Sequence, residues 1–359
     1  MYIIYDDLYL KHDTGPYHPE NSQRLIYIKN AISNFNQRSK LTLVEPRKAV
    51  TEEICLVHSK EYVERIKSIS RTRSVYYLDA DTVVSPDTYE CALLAAGGCF
   101  TGIDFLKKSN KSNKSKISSF FAFVRPPGHH AFKDHGSGFC IFNNIAISTL
   151  YSQQKYNIKK VAIIDFDVHH GNGTQDAFYD NGSIFYVSLH QFPHYPGTGW
   201  WNESGSGSGK GFNLNIPMVA YSDEHDYIFA FLDLILPLIQ KFCPELILVS
   251  AGFDAHLEDP LSEINLLDES FYKFAVIIIY LCLKCSCNTG FILEGGYSLE
   301  ATSRSVIQIM NAFLDIDLRN NIKDLKALTD FLKVDRQPAD KVKPQNLKNF
   351  ENIRKFFSV

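Results

Sequence analysis

What this sequence lacks narrows it first. No field of one charge covers the chain: 37 Lys and Arg stand against 40 Asp and Glu, for a formal net charge of -3. That balance offers no footprint for direct nucleic-acid binding. Met1–Asp6 (MYIIYD) turns acidic where a secretory signal needs a basic start and a long apolar run. The apolar run Phe274–Leu283 is about ten residues, roughly half of what a bilayer crossing needs. A soluble intracellular protein without membrane contact is expected. Among the eight cysteines, Cys282 and Cys285 have CxxC spacing, but no second ligand pair or βαβ redox context accompanies them. Buried core thiols are the expectation there. No internal repeat is present. One low-complexity stretch, Lys107–Ser119 (KKSNKSNKSKISS), reads as a cationic surface loop.

What is present is enough apolar side chain for one large core, 45% of the chain. Residues 1–359 therefore read as a single domain, with a core across about 12–315 and a polar tail or last helix over 335–359. Five apolar runs read as buried strands: Ser119–Val124, Val161–Phe166, Ile184–Leu189, Leu246–Ser250 and Gly290–Leu293. Unbroken apolar strands suit a parallel sheet covered on both faces. Helical patterns separate them at Asp87–Leu106, Asn144–Gln154, Glu224–Phe242, Glu269–Leu283 and Ala301–Leu314. The alternation predicts an α/β fold with a doubly wound sheet.

Each strand runs into chemically loaded residues. RPPGHHA follows the first, DVHHGNG the second, HQF the third, AGFDAH the fourth and EGGY the fifth. Ligands bind such sheets beyond the carboxyl ends of the strands, so these segments are expected to converge. Asp165, Asp167 and His169 alternate along an extended segment and so share one side. Charges at the end of an apolar strand are costly unless a cation compensates them. With Asp254 from another strand end, two carboxylates and one imidazole leave an open position suited to a catalytic Zn2+, which polarises a carbonyl and acidifies a water. Fe2+, Co2+ and Mn2+ accept the same donors. His129 and His130 are candidates for general base and acid, each needing an orienting partner on its second nitrogen; Asp165 and Asn172 are available. Tyr297, after two glycines, is a candidate oxyanion donor opposite the metal.

The blocks RPPGHHA, GFCIFNN, DFDVHHGNGTQ, SLHQFPHYPGTG, SAGFDAH and LEGGYSL resemble the signature blocks of the zinc-dependent histone deacetylase superfamily, over about His12 to Ile309. The HHGNG form resembles its class II, bacterial and archaeal branches, since class I enzymes usually carry Asp where Asn172 stands. The resemblance implies an arginase-like three-layer α/β domain around one central, mostly parallel sheet. It implies hydrolysis of acetyl or other acyl groups on lysine side chains of proteins or peptides. Asp167, His169 and Asp254 match the zinc ligands, His130 the general base and acid, His129 its electrostatic support and Tyr297 the transition-state tyrosine. Gly138 and Phe139 match one wall of the acyl-lysine tunnel. Tyr195 matches the other, where relatives usually carry Phe, and Asp81 matches the rim carboxylate. A structural K+ is implied at Asp165, Ser188 and the backbone carbonyls of Asp167, His169 and Leu189.

Three rivals remain. An acetylpolyamine amidohydrolase shares the chemistry but needs an acid at the tunnel mouth; Leu261 stands at the matching position, with Glu258 nearby. A catalytically dead acyl-lysine reader is at odds with the complete ligand set and Tyr297. A manganese ureohydrolase shares the fold but not the HHGNG and EGGY blocks.

Overall fold

A computed structural model describes residues 1–112, 117–333 and 340–358. Among the described residues there are ten strands: β1 (Tyr2–Ile4), β2 (Thr42–Val44), β3 (Tyr76–Tyr77), β4 (Val83–Val84), β5 (Ser119–Ala122), β6 (Val161–Asp165), β7 (Ile184–Gln191), β8 (Asn213–Met218), β9 (Leu246–Ala251) and β10 (Asn288–Leu293). β3 and β4 form a small antiparallel hairpin. The other eight make one sheet in the order β2-β1-β5-β10-β9-β6-β7-β8. Every neighbouring pair is parallel. Each residue of β5 to β10 is buried, as a sheet covered on both faces requires. The chain is therefore an α/β fold around a central parallel sheet. The five chemistry-bearing strands, β5, β10, β9, β6 and β7, lie side by side in it.

Those five strands differ from their expected bounds by at most two residues at either end. β1, β2 and β8 escaped the sequence reading. The first two are three residues each. In β8, asparagines alternate with apolar residues and Pro217 interrupts; as an edge strand it tolerates a residue without an N–H. The helix expected over Glu224–Phe242 is continuous, with a π turn at Phe231–Ile235 just ahead of Pro237.

Two expectations need correction. The loop expected over Lys107–Ser119 is partly helix, since Thr88–Ser112 is one long element and β5 begins at Ser119; residues 113–116 lie outside the described residues. Lys107 and Lys108 favour helix, and their ammonium groups sit over the Tyr156 and Phe105 rings. Thr88–Ser109 of the same helix is long and apolar enough to cross a bilayer, but 83% of its apolar 18-residue stretch is buried inside the protein, as in a core helix. Of the CxxC pair, Cys282 is buried as expected, but Cys285 is half-buried. The tail carries a helix, Pro344–Phe357, docked through Asn346 Nδ2 to Ser222 and Asp226; residues 334–339 lie outside the described ones.

The β5–β10 joint brings the RPPGHH and EGGY segments together. Gly290 faces Phe120 across it, and a Cβ at 290 would lie 2.1 Å from the Phe120 ring. Gly290→Ala is expected to destabilise the fold by about 1–3 kcal/mol through overpacking. Denaturant midpoints test this, and Phe120→Leu in the same chain should recover part of the loss. An unchanged midpoint for Gly290→Ala would refute the tight joint.

Candidate active site

Asp167 and His169 lie just beyond β6 and Asp254 just beyond β9, on adjacent strands. Their ligand atoms lie within 4.8 Å of one another, and all three residues are buried. His169 Nδ1 is 3.1 Å from Asp167 Oδ1 and 3.2 Å from Asp254 Oδ2. Backbone N–H groups aim the carboxylates: Val168 donates to Asp254, while His169 and Gly295 donate to Asp167. The carboxylates approach the β10 turn so closely that a Cβ at Gly295 would be 2.0 Å from Asp254 Oδ2. Burial and the Asp167 charge push the Asp254 carboxyl up. Burial opposes ionisation of Asp167 too, but His129 and His169 hold it well below the usual carboxylate range. Two buried carboxylates and one imidazole nitrogen converging on a point form a donor set that a divalent cation fits.

Asp165 does not join them. It ends β6, and its Oδ2 accepts His129 Nδ1–H at 3.1 Å and the Tyr186 hydroxyl at 3.2 Å. The alternation argued from sequence fails there because the chain leaves extended geometry after Asp165. Ser188 faces Asp165 in register across β6 and β7. His190 donates from Nε2 to the Gly199 carbonyl, so its Nδ1 accepts the Ser188 hydroxyl at 2.9 Å. Leu189 is buried beside it on β7.

His130 Nδ1 donates to Asn172 Oδ1 at 2.8 Å, and the Gly173 N–H donates to the same oxygen, which fixes the amide's orientation. The His130 Nε2 is left with the lone pair. The tandem rings, 4.0 Å apart, titrate in opposite senses. Burial, then the His129 and His169 charges, push His130 well below its ordinary value. Burial opposes protonation of His129 as well, but Asp167 and Asp165 overcome it and raise His129 to about 10.

A pocket of about 250 Å³ is lined by Asp81, His130, Gly138, Phe139, His169, His194, Tyr195, Leu261 and Tyr297. The residues expected from sequence as wall, rim and gate thus share one cavity with His169, His130 and Tyr297. Phe139 stands edge-on to Tyr297, with centroids 5.9 Å apart, and Tyr195 edge-on to His130 at 5.1 Å. Glu258 is absent from the lining, its carboxylate held by Arg304 at 2.7 Å. Sequence reasoning missed several contributors. His194 stacks on His169 at 5.0 Å and donates to the Leu261 carbonyl; it sits inside the SLHQFPHYP block and had a legible signal. His18 backs Phe139 edge-on and donates to the Asp81 carbonyl. Glu294 accepts the Gly128 and His129 N–H groups. Arg24 bridges the Glu294 and Gly296 carbonyls and lies 5.0 Å over the Tyr297 ring. Glu294 opens the EGGY segment and so had a legible signal, whereas His18 and Arg24, outside every such block, carried none.

Comparison with known proteins agrees with this geometry. The histone deacetylase domain profile matches residues 18–313. "Histone deacetylase 10, chloroplastic" of Oryza sativa subsp. japonica is 39% identical over 309 residues, spanning 83% of this chain and 70% of that one. A "Probable deacetylase" of Methanothermobacter thermautotrophicus is 40% identical over 314 residues, spanning 86% and 89%. "Polyamine deacetylase HDAC10" of Danio rerio is 34% identical over 308 residues, spanning 82% of this chain and 44% of that one. The crystal structure of the HDA15 HD domain superposes with a TM-score of 0.83 at 30% identity, covering 99% and 93% of the two chains. A profile spanning most of the chain, a shared central sheet and a metal-type cluster at its carboxyl edge lead to one conclusion: this chain belongs to the histone deacetylase family.

Proposed function

We propose that this chain removes acetyl or other acyl groups from lysine side chains of proteins and peptides, with Zn2+ held by Asp167, His169 and Asp254. Fe2+ or Co2+ is compatible with the same donors. The observation that carries this function is the pocket, whose aromatic walls, Phe139 and Tyr195, share one lining with His130, His169 and Tyr297. Such walls suit the aliphatic stem of a lysine. A structural K+ beside Asp165 and Ser188 belongs to the same proposal.

When bound, the divalent ion supplies Lewis acidity toward the amide carbonyl and acidifies the attacking water. The chain's own residues do the rest. His130 offers its Nε2 lone pair because Nδ1–H is committed to Asn172. It takes a proton from the water and returns it to the departing amine. Burial keeps this ring neutral and available. His129, raised by its carboxylate neighbours, adds positive charge beside the reacting centre. The Tyr297 hydroxyl donates to the oxyanion as it forms, an interaction realised only in the transition state.

Peptide is favoured over polyamine because Leu261 lines the pocket while Glu258 is occupied by Arg304. Acetylpolyamine hydrolysis is the second function to weigh, since Asp81 also lines the pocket and would attract a remote ammonium.

Three outcomes follow from these assignments. Asp254→Ala is expected to lose both hydrolysis and stoichiometric metal, read by elemental analysis after dialysis; normal turnover would sink the metal assignment. Leu261→Glu should raise kcat/KM for acetylated polyamines relative to acetyl-lysine peptides, because a carboxylate draws the distal ammonium. A wild type that already prefers acetylated polyamine would reverse the substrate assignment. Asn172→Asp sets a carboxylate on His130 Nδ1, stabilises the imidazolium and raises its pKa. The base form is then lost at higher pH, so the acidic limb of the kcat/KM profile should move toward neutral. A limb that stays, or moves down, would remove Asn172 from control of the base.

A further inference from the structure

Tyr297 is held by a residue from another loop. Its backbone N–H donates to Asp259 Oδ2 at 2.6 Å, and the Ser298 N–H donates to the same oxygen at 3.2 Å. The second oxygen, Oδ1, accepts the Leu261 N–H at 3.0 Å. Asp259 is 5% exposed, so these bonds form out of bulk water. Its loop is also closed onto the metal cluster, because the Ser262 hydroxyl donates to the Asp254 carbonyl. Pro260, between Asp259 and Leu261, restricts the backbone further. One carboxylate thus ties together the segment that follows Asp254, the Leu261 backbone at the pocket lining and the turn that carries Tyr297.

Ordinary helix capping does not explain this arrangement. The following helix is Leu299–Leu314 with Ser298 at its N-cap, whereas Asp259 accepts the N–H groups of Tyr297 and Ser298, ahead of the first helical turn. The carboxylate holds the catalytic turn rather than the helix start. Carboxylate chemistry is what the geometry demands. Three donors converge on two oxygens, and both oxygens must accept. An asparagine has one acceptor oxygen and an NH2 group that would confront an N–H whichever way the amide turned.

We propose that Asp259 is a positioning residue for Tyr297: by accepting N–H groups from both the Tyr297 turn and Leu261, it fixes the phenol at the depth in the pocket where the oxyanion develops. This rests on the role proposed above for the Tyr297 hydroxyl. Asp259 touches no reacting atom; its effect passes through the tyrosine. Misplacing a catalytic group by about 1 Å can cost on the order of 10²-fold in rate.

The test is a double-mutant cycle on the full-length, metal-replete enzyme with an acetyl-lysine peptide: Asp259→Asn, Tyr297→Phe, and both together. Asp259→Asn is expected to lower kcat by roughly 10–100-fold while KM changes less than about threefold and metal content stays stoichiometric. In the Tyr297→Phe background the same change should cost less than about threefold, because the group being positioned has gone. If Asp259→Asn does not fold, the cycle is read with Asp259→Glu, which keeps both acceptors but displaces them by one methylene. Losses that multiply independently, or full kcat in the Asp259 variant, overturn the proposal. The two failures are distinguishable. If Tyr297→Phe alone retains full kcat, the tyrosine's proposed role falls and the positioning role with it. If Tyr297→Phe is impaired and the losses multiply, the positioning role alone falls.

Discussion

Two buried carboxylates facing one imidazole are the constraint on which this end of the sheet depends. Asp167 and Asp254 are both 0% exposed and both lie within about hydrogen-bonding distance of His169 Nδ1. Like charges so close in a dry interior are tolerable only with strong compensation. Backbone N–H groups from Val168, His169 and Gly295 provide part of it, and a cation fits the remainder. The backbone must approach to make those bonds, which is why the residue at 295 can carry no side chain. The loops after β6, β9 and β10 are therefore mutually dependent: moving one uncovers charge on another.

A second buried network braces this arrangement from the N-terminal segment. Glu20 is fully buried and accepts from Arg125 at 2.5 and 2.8 Å and from Arg24 at 3.2 Å. Arg125 opens the segment that leads to the tandem histidines, and Arg24 holds the carbonyls on either side of Gly295. Glu20 thus joins the two halves of the catalytic floor. Removing one member would leave a buried charge unpaired, which is far more costly than the pair is stabilising. The tandem histidines use the same principle at shorter range. Asp167 and Asp165 raise His129, while burial and the neighbouring His129 and His169 charges lower His130, so adjacent rings are driven to opposite charge states.

Much of this was legible before any fold was known. Apolar runs revealed the five central strands because a doubly covered parallel sheet admits no polar face. The residues after each run pointed to one site because chemistry collects beyond the carboxyl ends of such strands. The metal-type cluster, the tandem histidines, their partners Asp165 and Asn172, and the pocket residues from Asp81 to Tyr297 were all within reach of that argument and of the family resemblance. The three-residue strands β1 and β2 were not, being too short to show a period. Nor was the helical character of Lys107–Ser112, where a polar composition masked good helix formers lying over aromatic rings.

By itself, the sequence determined which residue types reach the catalytic edge, because strand hydrophobicity and chain order are local properties. Only the tertiary structure decided which of them touch. Glu258 turned to Arg304, Glu20 to Arg125, Arg24 to the Gly296 carbonyl and Asp259 to the Tyr297 N–H, the last three entering the site as supports. Those pairings join residues tens to hundreds of positions apart. The buried ones among them are selected by the cost of leaving a charge or N–H unsatisfied, a quantity that exists only once the chain has closed around it.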